Sequence, residues 1–430
     1  MQDILHLGAL PPELFDKIFL ELDTIRDLAN FIHTAHFVYR RFRTQRRTIL
    51  FRVFQNELGP VLYDAGFLSV FAYSDPADYE RYYDWIYFMA GVYRDMLPQN
   101  VLLYGKDQRV RDNSGTPTME ELTELCRTLG LINFMTDTYI TTQLGSFNLA
   151  GGEGTPATGP PSRPERHRIM RAFYRRQIVS NAWASTRRPA HWDNTDSNAF
   201  SNMSTEEGRR LGLFAAFAPW EMQQIDHANW FIMRLCCLLV HHAGEAAEAG
   251  GGRKILPTQF GNLHAHLGHL IEYLRAHRGV AEAAIGDLQS RKLLIQDEGV
   301  EEEFMDRYEV LPLSSYWQNH RAQEFPDPGL DRDEQEGLLM GYFVGDNPDQ
   351  VPFGWSDALR GHYVRWYGAA LCDIPWLPLW GSSEKDWAHA SSIELWRISG
   401  FTLWDQKRVE ALKKLSRFEA LQTGFVIDRP

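Results

Sequence analysis

Histidine-rich segments are the first candidates for chemistry in this chain of 430 residues. Two segments gather imidazoles: His264, His266 and His269 in "LHAHLGHL", and His241 and His242 shortly before Glu245. On one helix, His266 and His269 would share a face, whereas His264 would lie off it. A zinc site needs three or four convergent ligands, as in HExxH with a third ligand downstream, and neither segment has that signature. We therefore expect no metal ion and no other cofactor.

Motifs that commonly carry catalysis are absent from the sequence. Neither GxxxxGK[ST] nor GxGxxG occurs, so nucleotide binding has no sequence support. There is no GxSxG nucleophile elbow, and no cysteine lies in a recognisable protease context. Acidic runs such as Glu301–Glu303 are interpreted as solvated faces, because no scaffold fixes the distance between their carboxylates. We predict a non-catalytic protein; an enzyme with a site near the histidines or the tryptophans is the weaker alternative.

Tryptophan is concentrated in the last third of the chain, with six residues between Trp366 and Trp404. Packing between short helices would account for them. The functional interpretation is a groove that holds a partner's peptide or a small ligand, since tryptophan and tyrosine favour interfaces. The segment "DIPWLPLWGSS" is apolar, and its two prolines prevent one regular helix. The candidate groove residues are Trp376, Trp380 and Trp387.

The elements that must position these residues are predicted to be helices. Apolar side chains recur three and four residues apart throughout the chain, whereas alternating strand patterns are scarce, so we predict an all-α protein. The clearest helices are Tyr79–Leu97, Met119–Met135, Ser162–Trp183, Pro219–His242, which should end before Gly244, and Asp405–Leu421, with Asp405 as its cap. Loops are expected at the Gly- or Pro-rich residues 145–164, 244–257 and 325–333.

Charge is unevenly distributed along the chain. The net charge of -12 argues against a surface that binds nucleic acid as a whole. Residues 163–188 carry eight arginines and one acid, and the arginines alternate with Phe and Tyr, so we expect packing helices with charged flanks. Residues 297–349 carry fifteen acids and three arginines, which fits either a docking face or a solubilising one.

Cysteine usage and the N-terminus predict a cytoplasmic or nuclear protein. The four cysteines form no CxxC pair, which favours reduced, buried thiols. The first residues have no basic region followed by a long apolar one, unlike a signal peptide. The apolar run Trp230–Val240 contains Arg234 and is too short to span a bilayer, so no membrane association is expected. The cysteines are Cys126, Cys236, Cys237 and Cys372.

The N-terminal stretch "LPPELFDKIFLEL" carries more apolar surface than one packing seam needs. Proline suits a helix's first turn and Glu13 complements the helix dipole, so a helix is predicted to begin near Pro12. Its apolar side chains cover an arc of roughly 140° at 100° per residue. They are Leu14, Phe15, Ile18, Phe19 and Leu22.

Two further helices are predicted to complete a small N-terminal core. Thr24 is expected to cap the second helix, with Asp27 completing a short capping box. A third helix should carry the apolar residues between Phe37 and Phe54. Three short helices in about fifty residues are marginally stable alone, so the unit should pack on a partner or on the rest of the chain.

The stretch "LPPELFDKIFLELDTIRDLANFIHTAHFVYRRF" resembles an F-box. It opens with Leu-Pro-x-Glu-Leu and continues with matches at Ile18, Leu22–Asp23 and Leu28. The Val-Cys pair and the tryptophan usual near the third helix are absent, as in the F-box-like variant of filamentous fungi. Weaker similarity to that fungal group extends through "FQNELGP", "RAFYRRQI", "FAPWEMQQI", "PFGW" and "SGFTLWDQKRVEAL".

The resemblance implies a three-helix F-box over residues 5–54 and a larger, irregular helical domain over 55–430. It also implies that the chain recruits a protein substrate to an SCF ubiquitin ligase, with the S-phase-kinase-associated adaptor and the cullin as partners. An interaction or scaffold protein that retains a degenerate F-box is the alternative. Phe15, Phe19 and Ile32 would pack the F-box's own core. The residues expected to face the adaptor are Leu10, Pro11, Pro12, Ile18 and Leu22, with Leu28 nearby.

Overall fold

The computed structural model describes a helical protein. All regular elements in the described residues are helices and no strand occurs among them, which confirms the all-α prediction. The described residues are 10–70, 117–183, 217, 219–249, 255, 259, 263–264, 266–290, 352–354 and 400–415.

The described residues belong to two compact units. The first contains residues 10–70 and 117–130, and the second contains the residues from 131 onward. The boundary expected between residues 54 and 55 falls inside a helix, Arg46–Leu58, so no linker separates two bodies there.

The first unit begins with a proline-initiated helix, as predicted. Pro11 precedes its first residue, Pro12, and Glu13 lies in its first turn. Thr24 caps the second helix: its Oγ1 accepts a hydrogen bond from the Asp27 N–H at 3.0 Å. The helices of this unit are α1 (Pro12–Leu20), α2 (Ile25–Ile32), α3 (His36–Thr44), α4 (Arg46–Leu58) and α5 (Leu62–Val70), with a 3-10 turn at Gly59–Val61.

The predicted third helix is two helices. Gln45 has φ −129° and ψ 25°, which is outside the helical region, so it ends α3 and precedes α4. The expectation of one helix from Phe37 to Phe54 was therefore wrong.

Aromatic side chains form the core of the first unit. The Phe19 ring lies 5.2 Å from Phe31 and 6.2 Å from Phe42, between ring centroids. Phe15 meets Phe37 edge-on at 5.6 Å. Phe15 and Phe19 are both buried, as expected for residues of an internal core.

The second unit is built around one long helix. That helix, α8 (Pro219–Glu248), packs along α7 (Arg163–Trp183) and along α10 (Arg278–Ser290), and α9 (Leu267–Ala276) also contacts α10. It continues through Gly244, so the prediction that it ends before that residue was wrong. The helices are α6 (Met119–Phe147), whose first residues belong to the first unit, α7 (Arg163–Trp183), α8 (Pro219–Glu248), α9 (Leu267–Ala276), α10 (Arg278–Ser290) and α11 (Gln406–Lys413), with a π turn at Asn148–Gly152.

A buried aromatic cluster joins distant parts of the second unit. Tyr139 stacks on Trp404 at 6.1 Å and meets Phe231 edge-on at 5.1 Å. Gly400 has φ +70°, and a Cβ atom there would collide with the Tyr139 hydroxyl. The turn before α11 thus depends on glycine both for its backbone and for its close approach to Tyr139.

Cys126, Cys236 and Cys237 are reduced cysteines outside any disulfide, whereas Cys372 lies outside the described residues. Burial raises the pKa of Cys126 and Cys236, so their thiols stay protonated. Within the described part of the chain, no helix has the length and apolarity needed to cross a bilayer.

Candidate functional site

The apolar surface of α1 divides between a buried face and an exposed one. Phe15 and Phe19, four residues apart, point into the core and are 5% and 0% exposed. Pro11, Leu14 and Ile18 follow at spacings of three and four, so they share a second face about 100° away. Leu14 is 42% exposed and Ile18 is partly exposed. We call Pro11, Leu14 and Ile18 the α1 stripe.

Most residues expected to face a partner are accessible. Pro11 and Pro12 are exposed, and Leu10, Ile18 and Leu22 are partly exposed. Docking on a partner requires such accessibility.

Leu28 differs from this set because it is buried, with 2% of its surface exposed. It lies on α2, which packs against α3 and α4. Its side chain therefore belongs to the internal core, and the expectation that it lies near the adaptor does not fit its position. Ile32, expected in that core, is instead partly exposed.

Three large exposed side chains of the first unit were not among the expected contact residues. Leu14, Phe37 and Tyr39 are each exposed by 41% to 43%. The Leu14 exposure could have been inferred from the α1 spacing once Phe15 and Phe19 were assigned to the core. Phe37 and Tyr39 could not, because their exposure depends on how α3 packs.

Polar contacts fix the orientation of α1 relative to its neighbours. Arg41 on α3 donates two hydrogen bonds to the Asp16 carboxylate, at 2.9 and 2.5 Å, and Gln45 donates a third at 3.1 Å. The Arg41 guanidinium holds the pKa of Asp16 below its ordinary value. On the other side, the Asn56 amide donates to the carbonyls of Leu20 and Leu22 at 2.8 and 2.9 Å, which satisfies the C-terminal end of α1.

Arginines that were expected on charged flanks are buried in the second unit. Arg168, Arg171 and Arg175 lie three and four residues apart on α7, and each is less than 9% exposed. Arg168 donates to the Asp405 carboxylate at 2.8 Å, and Arg175 pairs with Glu221 at 2.7 Å. The spacing of three and four residues is that of a buried helix face, and it was the one sign in the sequence that these arginines are buried. Periodicity that is read from apolar residues alone misses a buried row of arginines.

Another buried arginine of α7, Arg176, approaches one of the histidines. Arg176 donates to the Asn229 side chain at 3.2 Å and to the His264 carbonyl, and burial lowers its pKa to about 10. Burial, with the Arg176 charge beside it, holds the pKa of His264 well below its usual range. His264 therefore stays neutral and is part of the core. His266 and His269 form a separate pair at the start of α9, with their rings 5.2 Å apart.

The predicted groove tryptophans, Trp376, Trp380 and Trp387, lie outside the described residues, as does the acidic segment 297–349. The predicted helix Tyr79–Leu97 and the predicted loop 325–333 also lie outside them.

Comparison with known proteins identifies no relative. No family model, no curated protein and no solved structure matches this chain. The resemblance to an F-box therefore rests on the N-terminal residues quoted above.

Proposed function

We propose that this protein is a non-catalytic F-box-type subunit that docks on the S-phase-kinase-associated adaptor and recruits a protein substrate to an SCF ubiquitin ligase. The observation that supports the proposal is the exposed α1 stripe of Pro11, Leu14 and Ile18, on a helix whose neighbouring face, about 100° away, is buried. These residues fall within the stretch that resembles an F-box, beginning at its Leu-Pro-x-Glu-Leu opening.

Physical chemistry favours a protein partner for this stripe. An aliphatic side chain such as Leu14 gains roughly 1.5–3 kcal/mol when it is removed from water completely. Two such side chains on one helix, four residues apart, form a row that another helix or groove can cover. The exposed Phe37 ring lies against α1 through Phe15 and adds apolar surface to the same group of helices.

The stripe is held rigidly enough for such docking. Asp16 binds α1 to α3 through Arg41, and Asn56 binds the end of α1 to α4. Because these contacts are already made without the partner, binding costs little conformational entropy for ordering the backbone. In this proposal the second unit presents the substrate.

Co-purification of the full chain with a fungal S-phase-kinase-associated adaptor tests the proposal. Leu14→Asp and Ile18→Asp place a charge in the stripe without touching the buried Phe15 face. Each should weaken adaptor binding by roughly 30-fold or more, because charging a central apolar contact costs about 2 kcal/mol or more.

The matched control is Asn30→Asp, which adds the same charge at an exposed residue of α2. It should bind the adaptor as wild type does, and all three variants should keep the wild-type helical circular dichroism. Failure of folded wild type to bind would exclude the ligase proposal and favour a scaffold that retains a degenerate F-box. Wild-type binding by both stripe variants would show that the adaptor docks elsewhere.

A further inference from the structure

Three potential metal ligands converge in the last two turns of α8. The ligand atoms of His241, His242 and Glu245 all lie within 4.8 Å of one another. His242 Nδ1 is 3.1 Å from one Glu245 oxygen, and His241 Nε2 is 3.4 Å from the other. For a tetrahedral ion with ligands at ~2.0–2.1 Å, neighbouring ligands are separated by about 3.3 Å. Each measured separation is close to that edge length, and the two imidazoles approach different oxygens of the one carboxylate.

A fourth residue orients the central imidazole. Asp287 on α10 lies 2.8 Å from His242 Nε2. A carboxylate at that position accepts a hydrogen bond from Nε2–H, and the tautomer with its proton on Nε2 places the Nδ1 lone pair on the side of Glu245. Histidine ligands of metals commonly have this carboxylate partner on the other ring nitrogen.

The electron-donating atoms of His242 and Glu245 lie close enough together to share one cation. His242 Nδ1 and a Glu245 oxygen are 3.1 Å apart, and the hydrogen-bonding role of that nitrogen depends on the tautomer. A metal ion would satisfy both groups and would also engage His241. Glu245 lies in the last turn of α8, where the helix dipole favours cations.

The geometry points to a binding site for one divalent first-row transition metal ion of the zinc class. We infer that His241 Nε2, His242 Nδ1 and a Glu245 oxygen are its ligands, and that Asp287 positions His242. Two imidazoles and one carboxylate suit Zn²⁺, Co²⁺ or Ni²⁺ and do not suit Ca²⁺ or Mg²⁺. Three protein ligands leave one tetrahedral position for water or for a group of a partner.

Metal binding here has a structural consequence. His241 and Glu245 are each 60% exposed on their side chains, whereas His242 is 16% exposed and already linked to α10. A bound ion would join these exposed side chains to the His242–Asp287 contact. The ion therefore secures the C-terminal end of α8 against α10 and should raise the unfolding temperature in proportion to its occupancy.

Calorimetric titration of the full chain with ZnCl₂ tests this inference, using protein treated with chelator and freed of any affinity tag. We expect saturable binding of one Zn²⁺ ion per chain, and Ca²⁺ should not compete with Zn²⁺ for this site. Co²⁺ should bind with the same stoichiometry and give the intense visible absorption of a tetrahedral site.

Four substitutions locate the ion. His241→Ala and Glu245→Ala, both at exposed residues that folding tolerates, should abolish this binding. Asp287→Asn should weaken it 10- to 100-fold while leaving the stoichiometry unchanged. His269→Ala is the matched control, because it breaks the other close histidine pair, which in the described residues belongs to no comparable group with a carboxylate.

Three results would overturn the assignment. One is the absence of saturable Zn²⁺ binding by wild type. Another is Zn²⁺ binding that survives both His241→Ala and Glu245→Ala, and the third is a loss caused equally by His269→Ala. An unchanged affinity in Asp287→Asn would reject the orienting role of Asp287. None of these readouts depends on adaptor binding, so they are independent of the proposed function.

Discussion

Arg408 and Glu165 form a buried ion pair with nearly complete hydrogen bonding. Their side chains are 5% and 3% exposed. Arg408 Nε and Nη2 donate to the two Glu165 oxygens at 2.8 and 3.0 Å, and the remaining donors reach the carbonyls of Ala157, Gly159 and Pro160. Glu165 also accepts the Ser162 N–H at 2.8 Å as the acid of a capping box.

Removing one partner of this pair should therefore be costly. Arg408→Met would leave the Glu165 carboxylate buried without its guanidinium, and we expect a loss of about 3–5 kcal/mol in the free energy of unfolding. Adding Glu165→Gln should recover part of the loss, because the uncompensated charge disappears while one acceptor remains for the backbone N–H groups of Ser162 and Asp405. Urea unfolding at neutral pH measures both effects.

Arg166→Met is the control for this prediction, because it makes the same substitution at an exposed ion pair of α7. Arg166 contacts Asp137 at 2.5 Å, but the two side chains are 33% and 52% exposed. Its loss should be at most about 1 kcal/mol. Equal losses in Arg166→Met and Arg408→Met would contradict the importance of burial.

Single residues were predictable from the sequence where their role is local. Thr24 and Asp27 are three residues apart, and their capping contact forms as expected. Asp405 lies at the predicted cap position of α11 but makes no capping bond there, because its carboxylate accepts hydrogen bonds from Arg168 and Ser162. Burial, the largest influence, raises the pKa of Asp405. Arg168 lies 237 residues away from Asp405 in the sequence, so no local sequence pattern predicts this contact.

Helix boundaries were likewise predictable from the sequence only where local residues mark them. The start of α1 was predictable because proline and an acid mark it. The break at Gln45 was not, since neither Gly nor Pro marks it and the Gln45 amide is bound by Asp16 of α1. Helix α8 continued past Gly244 because alanine and glutamate follow, and their helix propensity offsets one glycine costing about 1 kcal/mol.

The contact between α1 and α3 should make stability depend on acid pH. Arg41 keeps the pKa of Asp16 below its ordinary value of 3.8 in the folded protein. The unfolded chain therefore takes up this proton first, so the pair's contribution is complete above the unfolded pKa and is lost as the pH falls through the folded pKa. Asp16→Asn lacks this contribution at every pH.

The stability difference between wild type and Asp16→Asn should accordingly stay constant from neutral pH to about pH 5 and shrink below about pH 4. Urea unfolding across that range measures it. In an Arg41→Met background the same substitution should show a much smaller pH dependence. A difference that grows towards acid pH would contradict the contact.

At the scale of the whole molecule, the second unit depends on contacts between residues far apart in sequence. Residues 400–415 supply Trp404 to the aromatic cluster, Asp405 to Arg168 and Arg408 to Glu165. The helical class followed from apolar periodicity along the chain, which is a local property. The ion pairs of Arg168 and Arg408 could not be predicted in the same way, because they depend on how the helices pack together. The arginines of α7 were therefore interpreted as surface charges.

A truncation shows whether this terminal segment is part of the second unit's core. A chain ending at residue 399 would leave Arg168 and Glu165 buried without their ionic partners and would uncover Tyr139. We expect it to lose cooperative thermal unfolding by circular dichroism, since these losses together approach the ~5–15 kcal/mol that stabilises a typical domain. A chain ending at Leu415 keeps all three contacts and is the control. Because only residues 400–415 distinguish the two chains, equal unfolding temperatures would mean that the second unit folds without the Arg408–Glu165 pair and the Trp404 stack.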